Sequence, residues 1–402
     1  MKKYVFIFSL LCCFIINSTA QNKLSDKATV SVVTCGPGSE LFTAFGHSAF
    51  RVYDPLIGFD KIYNYGTFDF NAPNFYLNFA KGKLTYFLST TRFNYFLQVY
   101  RYENRWVKTQ ELNLTPNEVQ AVFNFLEQNA KPENRDYQYD FFYDNCSTKI
   151  EEVLTTVLKD KIAFSNQHIT TQKSHRDLIA DYTKANYKWG KFGIDLALGS
   201  VIDDKATKDD YKFLPDYIFQ AFNNASIQKN DHQEPLVKKT TTILNENNSK
   251  KETLFFQPLI VFILLSIGIL FITFKNYKNQ SRSKYLDFLL FFSTGIIGIV
   301  VLLLWFATSH TATYKNLNFL WAFAPNSIIA FYFLKSKIPT WLQFYTIFLL
   351  FLLLAMGITW VLKIQVFNSA LLPFILALAV RYSYLSYRLN QQALFICEGE
   401  RN

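Results

Sequence analysis

The sequence predicts an α+β domain followed by an all-α membrane domain of five helices, and three observations carry the prediction. Half of the 402 residues are hydrophobic and 42 are Phe, but they are not spread evenly. Up to about residue 222 the apolar residues form short strand-like and amphipathic runs broken by turn residues. Beyond residue 254 they form spans long enough to cross a bilayer. Between the two, residues 223–253 are rich in Asn, Lys, Gln and Thr and read as a polar linker.

The chain opens with Lys2-Lys3, an apolar core from Tyr4 to Ile16, and the small residues Ser18-Thr19-Ala20. That is the pattern of a secretory signal over residues 1–20, so the domain at 21–222 is expected to be exported. Cys12 and Cys13 leave with the signal. A strand is expected at 30–33, then a turn at Cys35-Gly36-Pro37-Gly38. Residues 47–53 and 61–68 have the length and composition of strands and pair as a hairpin, which brings Asn64 or Tyr65 near His47. Further strands are expected at 84–88 and 106–114. Thr115-Pro116-Asn117-Glu118 is a capping box opening a helix with Val119, Val122, Phe123 and Leu126 as its stripe. Another helix is expected around 174–185.

The aromatic run 139–143 stops at Asp144-Asn145-Cys146-Ser147-Thr148. After it, Ile150, Val153, Leu154, Val157 and Leu158 fall at helical spacing. Asp144 or Asn145 is the N-cap, which puts Cys146 in the first turn. There the unpaired backbone N–H groups and the helix dipole favour a thiolate, the reactive form of cysteine.

Membrane spans are expected at 254–274, 288–308, 316–334, 341–362 and 364–380, with 381–402 as a tail. The formal charge is +10, but from residue 254 onward there are 11 Lys+Arg against 3 Asp+Glu. That leaves 30 basic and 28 acidic residues before it, a balance that excludes nucleic acid as a partner. The excess sits in loops. Lys275, Lys278, Arg282, Lys284, Lys335 and Lys337, with Arg381, Arg388 and Arg401, place the first and third loops and the C-terminus in the cytoplasm. Five spans then leave residues 21–253 outside, as the signal does.

The exported part has two mature cysteines, Cys35 and Cys146, and four histidines. His232 lies in the linker, and His168 and His175 sit in polar surroundings. His47 follows Gly46 at a strand edge, where a side chain can face a cleft. Cys146, His47 and a third polar group from the hairpin meet the needs of a thiol catalyst. The alternative is a structural Cys35–Cys146 disulfide in an oxidising compartment. No CxxC, HxxxH or HExxH spacing points to a metal, and no phosphate loop or Gly-x-Ser-x-Gly elbow appears, so no cofactor is expected.

Gly46-His47-Ser48-Ala49-Phe50-Arg51, Asn64-Tyr65-Gly66-Thr67-Phe68 and Asp144-Asn145-Cys146-Ser147-Thr148 together resemble the Lnb-type lipoprotein N-acyltransferases. The order of His before Asn-Cys is also similar to the circularly permuted NlpC/P60 (papain-like) group. The resemblance implies a permuted NlpC/P60-like exported domain on a cytoplasmic (inner) membrane anchor. It implies Cys146 as nucleophile, His47 as general base and Asn64 in the third place, with Tyr65 as its rival. The turn Pro37-Gly38-Ser39-Glu40 also matches, with Glu40 and Asn145 shaping the site. Ser309-His310 and the run 316–321 resemble the Lnb membrane domain, with His310 as a possible substrate contact. The partners implied are a membrane phospholipid as acyl donor and diacylated lipoproteins as acceptors. The rival readings are an NlpC/P60-like cell-wall peptidase or amidase, and a non-catalytic envelope module stapled by the disulfide.

Overall fold

The computed structural model describes residues 23–230, 232–245 and 256–399. The signal expected at 1–20 lies outside them, as do residues 246–255 and the last three. The N-terminal domain runs β1 (Thr29–Cys35), β2 (His47–Asp54), β3 (Phe59–Thr67), α1 (Phe75–Ala80), β4 (Thr85–Arg92), α2 (Phe93–Tyr102), β5 (Val107–Leu112), α3 (Pro116–Asn129), β6 (Asp136–Gln138), α4 (Cys146–Leu158), β7 (Ile162–Ala163), α5 (His175–Thr183), α6 (Lys188–Ala197), α7 (Pro215–Asn223), β8 (Ser226–Lys229), β9 (His232–Pro235) and β10 (Val237–Leu244). Seven strands form one antiparallel sheet in the order β10-β5-β1-β2-β3-β4-β6, and β7-β8-β9 form a small second sheet.

Side-chain alternation sets the layers. In register, Val32, Phe50 and Tyr63 point to one face of the sheet, where α3, α4 and α7 cover them. Val33, Cys35, Ala49 and Ile62 point to the other, against Phe93, Phe96 and Tyr100 of α2. Helix α3 starts at the expected capping box: the Glu118 N–H donates to Thr115 Oγ1, and the Thr115 N–H to Glu118 Oε2 at 2.9 Å. The stripe of α4 is buried as its spacing requires, with Ile150, Val153, Leu154 and Leu158 in the main core.

Residues 223–253 do not form a linker throughout. Ser226–Lys229 and His232–Pro235 make a hairpin, and Val237–Leu244 pairs with β5 as an edge strand of the main sheet. An edge strand needs only one bonded neighbour and tolerates polar side chains, and its lysines discourage pairing with other chains. Composition alone therefore mistook it for coil.

The C-terminal part consists of α8 (Pro258–Lys278), α9 (Lys284–Phe306), α10 (Asn326–Ile329), α11 (Leu342–Val361) and α12 (Leu372–Gly399). Among the described residues, four helices are long and apolar enough to cross a membrane, against the five expected. The third expected span, 316–334, is instead broken: 3-10 turns at Leu317–Leu320 and Ala330–Leu334 flank the single-turn α10. It still passes from one end of the bundle to the other. Asn316 meets the N-terminal domain through bonds to the Leu196 and Ala197 carbonyls, while Arg282 reaches the Phe333 carbonyl at the opposite end. Pro325 and the buried Asn318, Asn326 and Ser327 explain the break. Irregular backbone at this depth survives only when packed inside protein. Gly295 and Gly298 of α9 provide the space, since their side-chain positions lie about 2 Å from the backbone of Ser327 and Ala322. The tail expected from 381 is also corrected: α12 continues through it to Gly399, and Arg381 is fully buried. Its guanidinium donates to Asp287 at 2.8 Å and to Asn276 at 2.9 Å.

Candidate active site

Three elements converge at one end of the sheet. Gly46 takes φ +82°, with its side-chain position 2.7 Å from the Cys35 carbonyl, and so turns the chain into β2 with His47 as its first residue. At the end of β3 the register slips between Asn64 and Thr67, and Gly66 takes φ +87°. Helix α4 begins at Cys146 over this bulge. Asn145, rather than Asp144, is its cap: Oδ1 accepts from the Ser147 N–H at 2.7 Å and the Thr148 N–H at 3.1 Å. Its Nδ2 donates to the Phe141 and Phe213 carbonyls at 2.7 and 2.8 Å, so the buried amide locks the helix mouth in place. Asp144 instead pairs with Lys149 at 2.9 Å.

The His47 ring donates through Nε2 to Asn64 Oδ1, and the Cys146 side chain interacts with the same ring. An amide oxygen only accepts, so the neutral ring carries its proton on Nε2 and leaves Nδ1 as the nitrogen able to take a proton from the thiol. Burial pushes the Cys146 thiol up. The His47 charge, its hydrogen bond, the Ser48 backbone N–H and the Ser147 hydroxyl outweigh burial and bring the thiol below its ordinary value. Burial pushes the imidazole down, but the Cys146 charge and the bonds to Cys146 and Asn64 hold it above its ordinary value. The pair therefore favours thiolate and imidazolium.

Cys35 is not bonded to Cys146, and both are free thiols, which removes the disulfide staple. Cys35 faces α2, hydrogen-bonds to Tyr100, and is pushed up to about 12 by burial. It stays protonated while Cys146 ionises.

Of the other expected residues, Tyr65 points to the opposite face of β3 from Asn64 and packs into the main core, away from His47. Glu40 is exposed, its backbone N–H donates to Thr43 Oγ1 at 3.2 Å, and it does not line the cavity described next. His168 and His175 do not line it either, although His175 packs behind the lining residue Phe142.

Cys146 and His47 open into a cavity of about 570 Å³. Phe45, Phe68, Tyr86, Phe141 and Phe213 supply much of its wall, and Ser309 to Ala312 from the loop after α9 close one side. That loop is tied down at several points. The Ser309 N–H donates to the Lys81 carbonyl at 2.8 Å, and Thr311 Oγ1 to Asp140 Oδ2 at 3.0 Å. His310 Nε2 donates to the Phe79 carbonyl at 2.9 Å, with its ring packed over Gly82. A buried polar network docks the two domains beside it. Arg176 pairs with Asp195 and Asp203, and Asn318 donates to the Asp195 carbonyl at 3.0 Å. The Val366 N–H reaches Asp203 at 3.2 Å.

Sequence reasoning gave no role to Tyr137, whose hydroxyl and the Cys146 Cβ both lie over Gly66, or to Tyr139, which lines the cavity stacked on Tyr86 at 4.0 Å. The alternation in Asp136-Tyr137-Gln138-Tyr139 was the available signal of a strand leading into the cysteine.

Residues 17–179 match the family model described as the Lnb N-terminal periplasmic domain, and residues 250–392 the one described as the Lnb transmembrane domain. No curated protein and no solved structure matches the chain.

Proposed function

Since the chain belongs to the Lnb family, with its periplasmic and transmembrane domains in one polypeptide, we propose that it is a lipoprotein N-acyltransferase. It moves an acyl chain from a membrane phospholipid to the α-amine of diacylglyceryl-cysteine lipoproteins through a thioester on Cys146. The observation that supports this most is the opening of the Cys146–His47 pair into an apolar cavity walled in part by the membrane domain.

In the first half-reaction the Cys146 thiolate attacks the ester carbonyl of the donor. The C–S bond forms, the C–O bond breaks, and the His47 imidazolium gives its proton to the departing lysophospholipid oxygen. In the second, the free α-amine of the lipoprotein attacks the thioester while neutral His47 takes its proton. The C–N bond forms, the C–S bond breaks and the thiolate returns. Asn64 holds the ring in the orientation both halves need and, in the second, in the tautomer that can take the proton. The order of histidine strand, asparagine strand and cysteine helix is the one expected of a permuted papain-like arrangement and supports this reading. The basic loops support a cytoplasmic far end of the bundle and a cytoplasmic C-terminus. Anchoring the site at the surface that holds both lipid substrates raises their effective concentration.

A cell-wall peptidase is the weaker reading. A peptide would have to bury amides against apolar walls, at about 1–3 kcal/mol for each unpaired group. The test is mass spectrometry of lipoprotein N-termini from cells with the protein, without it, and with Cys146→Ser. Triacylated termini are expected only in the first. Triacylation that persists on deletion overturns the assignment.

A further inference from the structure

On the acyltransferase reading above, we propose that the cavity is an acyl-chain subsite shared by the two domains, in which Ala312 of the membrane domain limits chain length. An acyl group esterified to Cys146 has to extend into space contiguous with the sulfur, and this cavity is that space. Three of its polar lining residues are already engaged. Asn145 is consumed by the helix cap and two carbonyls. Asp140 accepts from the Phe142 and Tyr143 N–H groups and from Thr311. His310 is bonded to Phe79. Most of what remains for an occupant is aromatic and aliphatic surface, which fits a hydrocarbon chain better than a headgroup or a peptide.

On one side this surface is made by Ile179, Ile194, Leu198 and Phe213, with Ala312 packed among them. Ala312 is a small residue in a wall of large ones. Its carbonyl accepts from the Gly199 N–H at 2.9 Å, so its backbone is fixed and a larger side chain there takes volume from the cavity. The membrane domain thus completes the site as well as anchoring it. Each methylene excluded from such a pocket changes the preference about fourfold.

The test uses the full-length protein in vesicles of phosphatidylethanolamine carrying myristoyl, palmitoyl and stearoyl chains in equal amounts. The chains on Cys146 are read by intact mass before any acceptor is added. Ala312→Leu is expected to lower the stearoyl-to-myristoyl ratio roughly tenfold, and Leu198→Ala to raise it. The ratio does not depend on the yield of folded protein, so partial misfolding does not obscure it. A thioester with the same ratio in wild type and both variants overturns the subsite alone. A wild-type protein that forms no thioester overturns the acyltransferase reading and the subsite with it.

Discussion

Gly66 leaves its side-chain position empty 3.5 Å from the Cβ of Cys146, at φ +87°. The bulge around it interrupts the pairing of β3 with β4 between Asn64 and Thr67 and lets the cysteine lie against bare backbone. An added methyl would sit at ordinary contact distance, so the difficulty is conformational rather than a collision. Holding an L-residue in this region costs about 1–2 kcal/mol. Gly66→Ala is therefore expected to lose about that much stability in thermal melts. Relief of the strain would re-aim Asn64 and His47, so thioester formation on Cys146 should slow by more than tenfold. A destabilised variant that reacts at the wild-type rate would separate the bulge from the chemistry.

The thiol lies below its ordinary value and the imidazole above its own, which defines a pH window. The two groups titrate as a coupled pair. As pH rises, loss of the first proton leaves the thiolate–imidazolium form and the rate rises. Loss of the second takes the imidazolium, and with it the proton for the leaving oxygen. Acylation of Cys146 should follow a bell. Alkylation by iodoacetamide needs only the thiolate and should keep the rising limb without the fall. In His47→Ala, burial acts on Cys146 without its counter-charge, so the rising limb should move to higher pH. A limb left in place by His47→Ala would show that the imidazole does not ionise the sulfur.

Asn64 and Tyr65 are neighbours in sequence on opposite faces of the sheet, so their variants should differ in kind. Asn64→Ala frees the His47 ring to rotate and is expected to slow acylation about 10–100-fold, with stability little changed. Tyr65→Phe removes a buried hydroxyl that has no hydrogen-bond partner and should be neutral or slightly stabilising. Single-turnover acylation rates, read beside melting curves, distinguish the two residues. Equal losses of rate would remove Asn64 from the third place.

Where a local rule decided the structure, the sequence was legible. The Thr115–Glu118 box, the β2–β3 hairpin and the capped helix at Cys146 each depend on residues a few positions apart. The rest depended on partners far along the chain. Val237–Leu244 becomes a strand because β5 offers an open edge, which its composition does not reveal. Arg381 was counted as a tail charge, yet Asp287, more than ninety positions earlier, draws it into the bundle. The Asn64-or-Tyr65 choice turned on the pleat, which the register settles once the hairpin is known. The participation of the loop after α9 rests on Asp140, Lys81 and Phe79, three contacts with no common pattern.

The broken third crossing carries a last prediction, because it connects bundle packing to the cavity. Gly298 lets α9 press against the segment. Its side-chain position lies 1.9 Å from the Ala322 carbonyl oxygen and 2.6 Å from the Ala324 nitrogen, both backbone atoms that cannot rotate aside. Gly298→Ala must therefore push the segment and α9 apart, an overpacking that costs about 1–3 kcal/mol. The loop that closes the cavity joins those same two elements, so Ser309 to Ala312 should shift with them. The expected result is slower thioester formation on Cys146 even though the variant lies far from the sulfur in sequence and touches none of His47, Asn64 or Cys146. Gly268→Ala on α8 is the control. Its side-chain position has open space around it, and it should match wild type in both melting and rate. If Gly298→Ala lowers the melting temperature but leaves the rate unchanged, the membrane domain acts as an anchor and not as a wall of the site.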